Sequence, residues 1–87
     1  DRLFLGVDGL DPTVGVTTPD PLEASLNALM IRVSRETVAV LDASKLGQRS
    51  LSVITPLQNL HRVITDTSAA AETVDILRNA GVDVTLV

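Results

Sequence analysis

The sequence predicts an α/β domain, a Rossmann-like and mostly parallel sheet layered with helices. Three observations carry that prediction. Short, largely apolar runs at Leu3–Val7, Thr37–Leu41 and Val63–Thr65 read as strands buried on both faces, the mark of a parallel sheet. Helix-period stretches alternate with them, and right-handed crossovers would lay those helices over the sheet. Each run also ends on an aspartate: Asp8, Asp42 and Asp66. Aspartate is common in turns and caps, yet three in this position predict one polar rim at the carboxyl ends of the strands, where open α/β sheets bind ligands.

Composition sets the limits. A chain of 87 residues is one domain or part of one, and at this size about 60–65% of the unfolded surface is buried on folding. The chain begins at Asp1 and its single Met is Met30, so a piece of a longer protein is expected. Apolar residues make up 45% with only one aromatic, so the core must be Val, Leu, Ile and Ala. A mean hydropathy of +0.31 predicts apolar surface left over for a partner or for further chain. The net charge of −4 argues against direct contact with nucleic acid, which needs a basic footprint. With no cysteine and one histidine, neither a disulfide framework nor a metal site is expected. No apolar run approaches the length of a membrane span, and a cytoplasmic setting is the expectation.

In chain order, Leu3–Val7 is the first strand, with Gly6 allowing close backbone approach. Asp8 to Asp20 reads as a long irregular loop with turn signals at Asp11-Pro12 and Gly15, and such connections often carry function. A helix then starts with Asp20 as N-cap, Pro21 at its first position and Glu23 where a capping-box acid belongs. Leu22, Leu26, Leu29 and Val33 repeat at helical spacing on one face, with Met30 beside them, while Arg32 and Arg35 suit the helix end. Thr37–Leu41 is the central strand. Leu46–Ser50 is a turn, Leu51–Ile54 a short strand, Leu57–Leu60 a single helical turn and Arg62–Thr65 another strand. His61 stands alone, as a surface or packing residue. Thr67 or Ser68 can cap a last helix with Ala70, Val74 and Leu77 on its apolar stripe, stopped by Gly81. Val82, Val84 and Leu86 then alternate with polar residues as an edge strand.

The stretch Asp42-Ala43-Ser44-Lys45 places an anion, a hydroxyl and a cation within four positions at a strand end. Carboxylates accept hydrogen bonds from sugar hydroxyls, while a lysine and free helix N–H groups attract phosphate. A phosphorylated polyol uses all of these. Glu23 would compete with a phosphate at the helix start, and capping alone accounts for it equally well. No Walker A, GxGxxG or nucleophile-elbow pattern occurs.

The blocks Asp1–Asp11, Gly15–Thr17, Glu23-Ala24, Leu41–Gly47, Val63–Asp66 and Gly81–Val84 fall in the order seen in DeoR-family bacterial transcription regulators. The chain resembles the C-terminal half of their sugar-phosphate sensor domain. That resemblance implies residues 1–87 are the C-terminal portion of one effector-binding domain, with its first half and a helix-turn-helix domain upstream. It also implies a larger fold like that of sugar-phosphate isomerases and CoA transferases. By that likeness Asp8 matches an active-site aspartate of ribose-5-phosphate isomerases, Glu23 their general base, and Asp42–Lys45 their Asp-Glu-Ser-Lys segment. Leu5 and Gly9 stand where those enzymes carry acids, and Pro12 to Asp20 lacks their Lys-Gly-rich loop.

The resemblance therefore implies a binding pocket without catalysis or cofactor. An effector site of Asp8, Gly15, Thr17, Glu23, Asp42 and Lys45 would take a phosphorylated sugar and relieve repression of a sugar-utilisation operon. Operator DNA would be bound only through the helix-turn-helix domain, and a homo-oligomer is expected. An isomerase fragment and an oligomerisation module are the alternatives.

Overall fold

The computed structural model describes all 87 residues. In chain order the elements are β1 (Arg2–Gly6), β2 (Gly9–Asp11), β3 (Gly15–Thr18), α1 (Pro21–Val33), β4 (Glu36–Val40), β5 (Ser52–Thr55), β6 (Arg62–Thr65), α2 (Ala71–Asn79) and β7 (Asp83–Leu86), with single 3-10 turns at Ala43–Lys45 and Leu57–Asn59.

The α/β prediction holds. β1, β4, β6 and β7 form one sheet in that order, parallel throughout. Register sets Leu5, Ala39, Val63 and Val84 in one row and Phe4, Val38, Arg62 and Asp83 in the next, and successive rows point to opposite faces. Every step across the sheet runs the same way, so right-handed crossovers put all the connections on one face. The buried cluster agrees. Leu5, Ala39 and Val63 pack with Leu10, Val16 and Ile54, with Ala24 and Ile31 of α1, and with Leu77 of α2. The other face is open near β1 and at the carboxyl end of β4, where Phe4 is 60% exposed and Val40 41%. β7 is an edge strand, as its alternation predicts.

The irregular loop expected over residues 8–20 is instead an antiparallel hairpin, β2 with β3. The strand expected near residue 52 joins β3 and not the parallel sheet, making a second sheet ordered β2-β3-β5. The turn chemistry explains this. Asp11 accepts from the Thr13 and Val14 amides at 2.7 and 3.0 Å, closing the Asp-Pro turn. Those two amides, Val14 first, and Arg49 beside them hold the Asp11 carboxyl below its usual range. Gly15 then turns the chain with φ +113°.

Helix α1 starts where predicted, with the Asp20 side chain accepting from the Leu22 and Glu23 amides. The capping box is not closed: the Asp20 amide donates to the Thr18 hydroxyl at 3.3 Å, which leaves Glu23 out of the cap. The periodic apolar face is not the buried one. Ala24, Asn27 and Ile31 are the buried residues of α1, which packs on β5 and β3, and the leucines face outward.

At α2 the expected cap moves from Thr67 or Ser68 to Ala70, because Ser68 turns back to hydrogen-bond Asp66 through both its hydroxyl and its amide. Gly81 ends the helix at φ +92°, as predicted. His61 has a packing role. Its Nδ1 accepts from the Thr37 amide at 3.0 Å, and its own amide donates to the Thr37 carbonyl.

The Thr37 hydroxyl is buried without a partner. Thr37→Val, of nearly the same shape on a strand, is therefore expected to leave stability unchanged or raise it by up to about 1 kcal/mol. A urea midpoint lowered by the substitution would show that the hydroxyl is bonded after all.

Candidate functional site

A cleft of about 640 Å³ crosses the carboxyl ends of β1, β4 and β6. Asp8, Asp42, Lys45, Thr65 and Asp66 contribute its polar wall, and Val7, Val40, Leu41 and Ile64 its apolar floor. This is the edge at which parallel α/β sheets place ligands. The strand-to-loop handovers put the polar groups there: β1, β4 and β6 are each followed within two residues by an aspartate, Asp8, Asp42 and Asp66.

The segment carrying Asp42 and Lys45 is held from two sides. Asp66 Oδ1 accepts from the Ala43 amide at 2.7 Å, and the Gly47 amide donates to the Leu10 carbonyl at 2.7 Å. The Ser68 hydroxyl first, then the Ala43 amide, hold the Asp66 carboxyl below its usual range. A carboxyl lowered in the folded state stabilises the fold above its unfolded value, near 3.8, and that stability is lost as pH falls through the lower folded value. Asp66→Ala is thus expected to lower the urea midpoint at pH 7, with the difference from wild type shrinking below about pH 4. A difference independent of pH would place the effect elsewhere than the ionised carboxylate.

Within the cleft, Asp42 makes no capping bond to its own turn. Lys45 is half-buried and belongs to none of the chain's three ion pairs, Arg2–Glu36, Arg49–Asp11 and Arg62–Asp83. Thr65 lines the wall with a buried hydroxyl that has no partner. Asp8 Oδ2 accepts from the Thr18 hydroxyl at 3.4 Å, and Thr18 in turn receives the Asp20 amide, so one threonine links the cleft to the start of α1.

Of the residues singled out from the sequence, Asp8, Asp42 and Lys45 come together here. Gly15, Thr17 and Glu23 do not. Gly15 sits in the second sheet against the Thr55 carbonyl. Thr17 is fully buried, and its hydroxyl is spent between the Ser50 amide at 3.0 Å and the Gly9 carbonyl at 3.4 Å. Glu23 lines a separate hollow along α1. Thr65 and Asp66 are the polar cleft residues absent from the predicted site. The strand-end signal marks Asp66 in the sequence, whereas nothing in the sequence marks an unpaired hydroxyl on Thr65.

A one-directional parallel sheet with a cleft across its carboxyl edge is the arrangement at which open α/β domains in general take small ligands. The family profile described as "DeoR C terminal sensor domain" matches residues 1–67. The chain belongs to the DeoR C-terminal sensor domain family, and the matched span contains every charged residue of the cleft. Over its whole length the chain is 41% identical to a protein of Escherichia coli O157:H7 named for transcriptional repression of the aga operon, covering 32% of that protein. It is 39% identical, over 97% of its length and 33% of the relative's, to the HTH-type transcriptional regulator GlpR of Haloferax volcanii. With the HTH-type transcriptional regulator YulB of Bacillus subtilis it shares 34% identity over its full length and 34% of the relative's. The chain thus spans about a third of the length of these curated relatives, all named as transcriptional regulators. No helix is long and apolar enough to cross a membrane.

Proposed function

We propose that the cleft is the effector site of a DeoR-type transcriptional repressor and that its ligand is a phosphorylated sugar. The observation that carries this reading is Lys45, a half-buried ammonium without an ion-pair partner, set among three carboxylates. Asp8 and Asp42 would accept from sugar hydroxyls, and Lys45 would hold an anionic oxygen. Because carboxylates outnumber the lysine, the rest of the phosphate's hydrogen bonds would come from polypeptide outside this chain. In this reading residues 1–87 are the C-terminal portion of one sensor domain. A helix-turn-helix domain and the first half of the sensor lie elsewhere in a cytoplasmic homo-oligomer, and operator DNA touches only the former.

The effector acts by binding the DNA-released arrangement better than the DNA-bound one, since equal affinity shifts nothing. The intact regulator should therefore leave its operator when the right sugar phosphate is added, in a gel-shift or anisotropy assay. An isomerase reading is weaker, because enediol chemistry needs a base beside the substrate and Glu23 lines a different hollow from Asp8 and Lys45. Sustained aldose–ketose turnover by the intact protein, abolished by Glu23→Gln, would reverse that order.

A further inference from the structure

Helix α1 has two apolar sides, and the fold of this chain uses one. Ala24 and Ile31 are buried toward the second sheet, while Leu22, Leu26, Leu29 and Val33 are 55–71% exposed on the opposite side. Their separations are four, three and four residues, the a/d repeat of a two-helix seam. A helix lying on a sheet or bundle core presents a wider stripe. A groove of about 380 Å³ runs along this seam, lined by Leu22, Leu26, Leu29 and Met30 and flanked by Glu23.

The charges say which way a partner helix runs. Asp20 and Glu23 stand at the start of α1, and Arg32 and Arg35 at and just beyond its end. A second α1 laid antiparallel brings the acidic end of each copy alongside the basic end of the other and opposes the two helix dipoles. A parallel copy would bring like ends together. The seam is also self-complementary: a spacing of four, three, four reads the same reversed. A two-fold axis between Leu26 and Leu29 therefore sets Leu22 level with the mate's Val33 and Leu26 level with its Leu29. The free edge of β1 and the open sheet face marked by Phe4 and Val40 are a separate exposed surface, available to further chain of the kind the longer relatives carry.

We propose that the outer face of α1 is an interface between two copies of this chain, formed by antiparallel pairing of α1 with its two-fold mate. It stands independently of what the cleft binds. The chain has no cysteine, so site-specific cross-linking can read the geometry directly. In the intact regulator, with any cysteine outside these residues replaced, Leu22→Cys and Val33→Cys would be introduced singly and the two forms co-expressed. Both positions are exposed, so the fold tolerates them.

Antiparallel pairing puts residue 22 of one copy beside residue 33 of the other, and separates each from its own counterpart by roughly 16 Å at 1.5 Å per residue. The expected result is a covalent dimer on mild oxidation of the co-expressed pair, at least about tenfold more abundant than from either variant alone. Adding Leu26→Glu to both forms should remove it with the far-UV circular dichroism spectrum unchanged. Absence of the mixed dimer, preferential linkage of either variant to itself, or survival of the linkage with Leu26→Glu would each overturn the proposal.

Discussion

Gly15→Ala is expected to unfold the domain. Gly15 has φ +113°, where an L side chain is strained whatever space surrounds it. Here there is no space: an added Cβ would press into the Thr55 carbonyl oxygen and lie 2.9 Å from Pro56 Cα and 3.0 Å from Leu57 N. All three are backbone atoms, so no flexible side chain can yield. The site joins the β2–β3 turn to the end of β5, and Val16 beside it is fully buried in the core. Backbone strain of about 1–3 kcal/mol adds to the displacement of β5. For a domain near the lower end of ordinary stability, about 5 kcal/mol, a loss above about 4 kcal/mol leaves little. Circular dichroism should show loss of the cooperative melt, or a midpoint lowered by well over 10 °C. A midpoint within a few degrees of wild type would mean that the hairpin can be rebuilt without its glycine.

Lys45→Ala is expected to abolish the response to a phosphorylated ligand while leaving the fold intact. The side chain takes part in no ion pair, so stability should change little. Binding is another matter. The substitution leaves Asp8, Asp42 and Asp66 in the cleft with no counter-charge, and an incoming phosphate would meet three carboxylates alone. A charged hydrogen bond is worth about 1.5–3 kcal/mol, which corresponds to roughly a 10- to 150-fold loss of affinity. The loss should be confined to the phosphorylated sugar, since hydroxyl recognition rests on the carboxylates. Titration of both ligands against both proteins would check this, and equal weakening of parent sugar and phosphate would assign Lys45 a purely structural role.

The parallel sheet and the family were legible in the sequence because both rest on local signals. Strands covered by other elements show as unbroken apolar runs, and the aspartates that end them cluster once the strands are parallel and in register. The hairpin was less legible. Residues 9–18 contain only two apolar side chains that the fold buries deeply, Leu10 and Val16, and the strands are too short for alternation to show. Asp11-Pro12 and Gly15 mark the turns of a loop as well as those of a hairpin.

The largest departure is α1. Periodicity identifies an apolar side but not what covers it, and here the periodic side is the outer one. Within the site, Asp8, Asp42 and Lys45 were readable as strand-end residues. Thr17 was not separable from them, because only the fold reveals that its hydroxyl is already bonded twice.

The proposed function requires that the cleft at the carboxyl ends of β1, β4 and β6 bind a phosphorylated sugar. The most direct test is a thermal-shift series on the intact regulator, with sugar phosphates beside their unphosphorylated parents. A ligand at about 100 times its dissociation constant stabilises by about 2.7 kcal/mol, a rise of several degrees for a domain of this size. The expected result is that rise with at least one sugar phosphate, a smaller one or none with its parent, and its loss in Lys45→Ala. No rise with any sugar phosphate, or an equal rise in Lys45→Ala, would contradict it.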